Sequence, residues 1–391
     1  MDSAVSGAFW ALASPFVAAA IAPVMKRRLG PLAGWLLALI PAFGFVIFLG
    51  IAGEVAKNGP TVASLQWVPT LGVELSIYMD GLSTLFALLI TGIGTFIIIY
   101  SGGYLKGHPD QGRFYSFMFL FMGAMLGLVI IDNLIALFVF WELTSITSFL
   151  LIGFDHRREA SRRAALQALV VTGAGGLSLL AGFLLIGVAV DKNALSELIA
   201  GGSLADHALY GWIFVLVLGG AFSKSAQFPL HFWLPNAMEA PTPVSAYLPS
   251  ATMVKAGVYM LMRMQPVLGG TIEWMTVLTV FGALTLMVGT LLAMRKTDLK
   301  LILAYTTVAS LGLLVMLTGT SLDLAIKGAV VYLFAHSLFK GALFMVAGTI
   351  DHETGTRDIT KLGGLRQAMP ITFGAALVAA WSMGGLPLTV G

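Results

Sequence analysis

Eight ionisable residues lie inside or at the ends of long apolar runs: Glu142, Lys224, His231, Lys255, Lys300, Lys327, His336 and Lys340. Five are lysines and none is an arginine. A lysine amine can release its proton when desolvated, whereas a guanidinium effectively cannot. The set therefore suits proton transfer. A charge at the centre of a bilayer costs at least ~2.5–3.5 kcal/mol, and such groups normally face a bundle interior or a wet cavity. A single Lys–Glu pair would serve equally as a structural lock between two helices; a set of this size points to a relay. Lys300 and Lys327 fall near run ends, where a long side chain can snorkel to the interface instead. Lys224, Lys255 and Lys340 sit deeper.

Spacing orders these groups. His336 and Lys340 are four apart, so they share one helix face within about one turn. Lys224 and His231 are seven apart with Pro229 between them. Proline removes a backbone donor and breaks the helix, and broken backbone is tolerated in a membrane where it is buried or lines water. Residues 222–235 thus read as an interrupted helix with ionisable groups at the break, the device transporters use at the midplane. Pro241-Thr242-Pro243 reads as a rigid re-entry into the next span, which carries Lys255.

The elements that must hold these groups are set by composition. Of 391 residues, 58% are hydrophobic and 10% charged, against about 25% charged in a soluble domain. Apolar runs long enough for a ~30 Å hydrocarbon core recur along the chain. They predict spans at 4–25, 31–53, 76–100, 114–131, 133–154, 164–190, 208–236, 243–266, 272–294, 299–319, 322–350 and 371–391. The runs are too long and too uniformly apolar for barrel strands. The expected fold is an all-α membrane protein of about twelve transmembrane helices, one transmembrane domain over 1–391, with its N-terminus as the first span rather than a signal peptide. Loops after odd-numbered spans carry 14 Lys and Arg and loops after even-numbered spans carry 3, Lys57, Lys192 and Arg263. By the positive-inside rule the basic loops are cytoplasmic and the N-terminus is outside. Zero cysteines exclude disulfides and thiolate metal or iron–sulfur ligation in this chain, and a net charge of +3 gives no reason to expect nucleic acid.

Several motifs resemble a known family. Gln227-Phe-Pro-Leu-His-Phe-Trp-Leu-Pro-Asn-Ala-Met-Glu-Ala-Pro-Thr-Pro-Val-Ser-Ala246, continuing to Ala251-Thr-Met-Val-Lys-Ala-Gly257, looks like the core signature of the proton-conducting membrane transporters. These are the antiporter-like subunits of Mrp-type sodium/proton antiporters, respiratory complex I and related hydrogenases. Asp132-Asn-Leu and Phe140-Trp-Glu-Leu-Thr-Ser145 resemble the fifth-helix motif with the family's glutamate. Asp298-Leu-Lys-Leu-Ile-Leu-Ala-Tyr-Thr-Thr-Val308 resembles the tenth-helix motif, and Asp80-Gly-Leu-Ser83 the start of the third. The Phe-Trp-Leu-Pro-Asn variant, with Lys255 present, is most similar to the A-type branch of the Mrp antiporter subunits.

The resemblance implies an antiporter-like subunit fold with inverted repeats and discontinuous helices seven and twelve. It implies a proton relay from Glu142 and Lys224 through Lys255 toward His336 and Lys340, with His231 and Lys300 as further members. It implies exchange for Na+, no cofactor, no enzymatic activity, and other membrane subunits as partners in a bacterial plasma membrane. Asp132, Thr144 and Thr147, with Ser145 and Ser148, are the oxygen-bearing residues that would line sodium's route; the ordinary alternative is Ser/Thr bonding to helix backbone. Two departures stand out. Pro249 occupies the place of a family histidine, which shifts that step toward Lys255. Gly385-Leu-Pro-Leu-Thr-Val-Gly391 resembles the break in helix twelve, and the resemblance leads us to expect the family lysine, the last helices and the A-type extension beyond that point. The competing functional reading is a proton-pumping antiporter-like subunit of a redox-driven complex; a purely structural role or that of an organic-solute transporter fits the titratable row less well.

Overall fold

The computed structural model describes residues 3–64, 66–68, 73–320, 322–389 and 391. In chain order its helices are α1 Ser3–Leu29, α2 Ala33–Asn58, α3 Gly81–Tyr104, α4 Gln111–Ile130, α5 Leu134–Ile152, α6 Glu159–Val190, α7 Leu195–Gly201 and α8 Tyr210–Lys224. They continue as α9 Trp233–Asn236, α10 Thr242–Ser250, α11 Lys255–Leu268, α12 Ile272–Ala293, α13 Leu299–Gly319, α14 Asp323–Thr354, α15 Leu365–Ala368 and α16 Pro370–Met383. Among the described residues eight stretches are long and apolar enough to cross a bilayer, the first covering α1 and α2 together and the others being α3, α4, α5, α6, α12, α13 and α14; α8 and α16 are shorter apolar helices. Together with the α10–α11 pair they give about twelve crossings, the multi-pass helical architecture that composition demands.

Hydropathy does not announce the short strands. β1 Thr61–Ala63 pairs antiparallel with β4 Ile77–Met79, and β2 Gln66–Val68 with β3 Val73–Glu74. Consequently the third helix starts at Gly81, not at 76. Asp80 stops it there: Ser83 N–H donates to Asp80 Oδ1 at 2.9 Å while Asp80 N–H donates to Ser83 Oγ at 2.8 Å. This reciprocal capping box satisfies two otherwise orphaned donors.

Contacts divide the chain between two units, Met1–Leu151 with Thr172–Ala221 and Pro266–Gly269, and Ile152–Val171 with Phe222–Gln265 and Gly270–Gly391. In the first unit α1 packs on α2 and α4, and α3 on α2 and α4. In the second, α14 packs on α10, α13 and α16, and α12 lies along α13. Glycine sets how closely α12 and α13 approach. A methyl at Gly312 would stand 2.5 Å from the Leu286 N atom and 2.6 Å from the Gly282 carbonyl oxygen. Backbone cannot yield as a side-chain tip can, so Gly312→Ala is expected to destabilise the fold by about 1–3 kcal/mol. Thermal unfolding of the detergent-solubilised complex reads this, with Gly328→Ala, which meets open space, as the control.

The interrupted helix expected over 222–235 is present: α8 ends at Lys224 and a 3-10 turn at Leu230–Phe232 precedes α9. The break is satisfied from within. Gln227 N–H donates to Phe222 O at 3.0 Å, Phe228 N–H to Thr285 Oγ1 at 2.9 Å, and Trp233 Nε1 to Ser223 O at 2.9 Å. The continuous span expected over 243–266 is instead broken at residues 251–254, between α10 and α11. Pro249 brings no N–H to this helix. Thr252 Oγ1 donates to Tyr247 O at 2.8 Å and Ser250 Oγ to Ala246 O, competing for acceptors a continuous helix would use. The carbonyl of Val254, immediately before α11, accepts from Ser225 Oγ at 2.6 Å. Arg263 is also not the loop residue that the charge count makes it. It is buried in α11, its Nε donating to Tyr259 Oη at 3.0 Å one turn back. α16 stops at Met383, ahead of the 385–391 motif, whose Val390 lies outside the described residues.

Candidate functional site

Three of the expected relay lysines share one construction in the second unit. Lys255 opens α11, just after the break, and its Nζ donates to Leu333 O of α14 at 3.0 Å and to Ser337 Oγ. Lys340, in the middle of α14, donates to Leu303 O of α13 at 3.2 Å and to Thr306 Oγ1. Lys300, in the first turn of α13, donates to Ala240 O at 3.0 Å and to Ser245 Oγ of α10 at 3.4 Å. Each amine therefore meets one backbone carbonyl and one hydroxyl on a neighbouring element. All three are buried, Lys300 to 2% exposure, so the interfacial alternative for that residue does not hold. Lys327 is exposed.

The partners matter for the chemistry. An ammonium can donate to both a carbonyl and a hydroxyl; a neutral amine can donate to the carbonyl and accept from the hydroxyl. Each hydroxyl accepts from its lysine while donating its own hydrogen to a backbone carbonyl, Ser337 to Leu333 O, Thr306 to Ile302 O and Ser245 to Ala240 O, so it serves a neutral amine as donor only by turning from that carbonyl. Among the described residues no carboxylate forms an ion pair with any of the three.

His336 lies between these stations, one residue before Ser337 and one turn before Lys340 on α14. It is fully buried between the rings of Tyr332 and Phe339, at centroid distances of 6.1 and 5.4 Å. Neither of its ring nitrogens has a hydrogen-bond partner among the described residues. Tyr332 in turn places its hydroxyl 2.9 Å from Ser310 Oγ of α13.

Lys300 also lines an open chamber of about 510 Å3 with Arg163, Gln167, Asn236, Glu239, Asp298 and Arg357. The carboxylates there are engaged: Asp298 Oδ2 meets Arg357 Nε at 3.0 Å, and Glu239 Oε2 meets Arg158 at 2.6 Å. Asp298 Oδ1 also accepts from Leu301 N–H at 3.1 Å, capping α13. The segment after α14 is pinned beside it by two backbone bonds, Leu299 N–H to Arg357 O and Ile359 N–H to Thr297 O, each 3.0 Å. On that segment the side-chain and backbone hydrogen bonds from Thr360 hold the Asp358 carboxyl below the usual carboxylate range.

The remaining expected residues stand as follows. Lys224 is the buried last residue of α8, in the second unit. His231 is half-buried in the 3-10 turn, stacked on Phe228 at 5.8 Å. Glu142 is half-buried in the middle of α5, in the first unit, where its carboxylate lies over Gly173 and Gly176 of α6. The sodium-route candidates are occupied by the protein itself. Asp132 takes Ser196 N–H on Oδ1 at 2.8 Å and Ser196 Oγ on Oδ2 at 2.6 Å, which caps α7. Thr144 donates to Trp141 O and Thr147 to Leu143 O, both at 2.7 Å, as ordinary helix hydroxyls do. Among the described residues no group of three or more histidines and acids has metal-binding geometry.

Sequence reasoning missed the hydroxyl partners Ser245, Thr306 and Ser337 and the chamber residues Glu239, Asp298 and Arg357. Ser245, Thr306, Glu239 and Asp298 all fall inside motifs already singled out, so that signal was present; Arg357 comes near Asp298 only through the fold.

Comparison with known proteins gives concordant results. The family described as "NADH:quinone oxidoreductase/Mrp antiporter, TM" matches residues 132–391, and that described as "NADH-Ubiquinone oxidoreductase (complex I), chain 5 N-terminus" matches residues 66–115. The A subunit of the Na(+)/H(+) antiporter of Alkalihalophilus pseudofirmus is 47% identical, over 97% of this chain and 49% of its own length. The A/B subunit of a probable K(+)/H(+) antiporter of Rhizobium meliloti is 46% identical, over 96% of this chain and 38% of its own. A chain in the structure of the Mrp complex from Dietzia sp. DQ12-45-1b superposes with a TM-score of 0.87 at 41% identity, covering 97% of this chain and 41% of that one. The chain spans about half the length, or less, of the curated relatives it matches.

Proposed function

Because the chain belongs to the NADH:quinone oxidoreductase/Mrp antiporter transmembrane family, we propose that it is part of the A subunit of a multisubunit cation/proton antiporter. In this reading it moves protons through its buried lysine, histidine and glutamate residues in exchange for sodium. The observation that carries it is the repeated construction at Lys255, Lys340 and Lys300, each amine held by a carbonyl and a hydroxyl with no carboxylate paired to it. A structural ion pair would need the opposite, a fixed counter-charge.

The stations follow one another along the helices. Lys255 contacts Ser337, which neighbours His336; Lys340 is one turn further along α14 and contacts Thr306; Leu303, its other partner, is one turn from Lys300 on α13. The chamber beside Lys300 brings solvent protons to that end. Arg163 of the first turns of α6 and Arg357 of the segment after α14 line it; in this reading, by the positive-inside rule, its mouth is cytoplasmic and the N-terminus outside. Lys224 and Glu142 are further members of the proposed relay, groups whose protonation a nearby charge or its removal would switch. Other membrane subunits complete the pathway. The sodium assignment follows the name of the first relative; the second relative's name pairs potassium with the proton.

The test uses membrane vesicles containing the whole complex and an imposed pH gradient. Added sodium should collapse the gradient in vesicles with the intact chain and not in vesicles lacking it. A gradient indifferent to sodium and potassium but built up by an electron donor would replace this reading with the redox-driven pump.

A further inference from the structure

α6 carries three glycines in four residues, Gly173, Gly175 and Gly176, in the middle of a 32-residue helix. Each glycine costs such a helix about 0.8–1.0 kcal/mol relative to alanine, so each needs a compensating contact. Gly175 has a familiar one: its carbonyl oxygen would lie 3.1 Å from a methyl placed on Gly220 of α8, where the two helices pack through small residues. Gly176 is different. The atoms nearest to a methyl there belong to no helix backbone. They are Glu142 Oε1, which the methyl would overlap, the Glu142 carboxyl carbon at 2.9 Å and Trp141 Cδ1 at 3.2 Å. One turn back, a methyl on Gly173 would make only an ordinary 3.9 Å contact with Glu142 Oε2. The Glu142 carboxylate therefore occupies the space of the missing Gly176 side chain.

We propose that Gly176 is a positioning residue for Glu142: the absence of its side chain forms the notch that fixes where the carboxylate stands. This rests on Glu142 taking part in proton transfer. The carboxylate is the far end of a flexible side chain, so filling the notch moves the carboxylate and spares the helix pair. A side chain one methylene shorter at 142 would withdraw from the added methyl, so a filled notch and a shortened acid compensate one another. That reciprocity separates positioning from general packing, which a smaller residue at 142 would only worsen.

The experiment compares Gly176→Ala, Glu142→Asp, the double variant, Gly173→Ala and Glu142→Ala in the full complex. It reads sodium-driven collapse of the pH gradient and the thermal stability of the solubilised complex. Gly176→Ala should slow exchange by about 10- to 100-fold, the scale of an ångström misplacement, with assembly retained. The double variant should exceed Gly176→Ala in rate, and Gly173→Ala should stay near the parent. The proposal is overturned if Gly176→Ala exchanges at the parent rate, or if the double variant is no faster than Gly176→Ala. If Gly176→Ala fails to assemble, the double decides again: restored assembly supports the notch, and unrestored assembly overturns it. Full exchange by Glu142→Ala would instead remove the underlying role of Glu142, an outcome distinct from failure of the notch.

Discussion

Lys340→Arg is expected to leave the complex assembled while sodium-dependent proton exchange falls by at least about 100-fold, the scale set by losing a positioned proton-transfer group. The argument is one of charge kept and titration lost. Lys340 is fully buried on α14 and reaches Leu303 O and Thr306 Oγ1 of α13. Arginine supplies a cation and donors at the same place but does not deprotonate. A residue needed only to tie α14 to α13 would tolerate it; a residue that passes a proton would not. Lys340→Ala should lose exchange equally, so the two variants together separate bonding from titration. The measurement is gradient collapse in vesicles, with the melting temperature of the solubilised complex alongside because the guanidinium is bulkier. Parent-like exchange by Lys340→Arg would show that Lys340 need not lose its proton.

Lys224→Ala should abolish exchange to a similar extent and also leave assembly intact. Lys224 ends α8 where the helix breaks, yet the bonds that close the break run through the backbone of Ser223 and Gln227, the hydroxyls of Ser225 and Thr285, and the Trp233 indole. Those bonds are made by groups that remain when the Lys224 side chain is truncated. Lys224→Arg should be as inactive as the alanine variant. Normal exchange by either would detach the break after α8 from proton movement. A loss of assembly in both would instead assign Lys224 to structure.

How much of this is readable in the sequence depends on whether the signal is local. The span at 299–319 coincides with α13 because hydropathy and an N-cap aspartate mark its start together. The break after Lys224 is legible because proline leaves the backbone no alternative. The start of α3 falls later than hydropathy puts it. Ile77 and Met79 are apolar enough to extend a span, while the capping box at Asp80 and Ser83 is a hydrogen-bonding event that hydropathy does not weigh. The break at 251–254 escapes for a similar reason: in sequence Pro249 stands out as a missing histidine, not as a missing N–H. Arg263 reads as a loop charge, although Tyr259 stands one turn before it and covers its guanidinium. The site divides in the same way. That Lys255, Lys300 and Lys340 lie in apolar surroundings is visible from their neighbours in sequence. That each has a hydroxyl and a carbonyl waiting is not, because Ser337 is 82 residues from Lys255 and Ser245 is 55 from Lys300.

The likeness of those three cradles bears on direction. In the proposed relay, a proton passing from one amine to the next leaves a site with one carbonyl and one hydroxyl for another with the same pair. Hydrogen bonding at the stations therefore supplies little slope of its own, and the row resembles a level track more than a staircase. What tips it falls to events at its ends, where a cation or a carboxylate changes the local field. A track of that kind runs either way, which is what exchange against a reversible ion gradient requires.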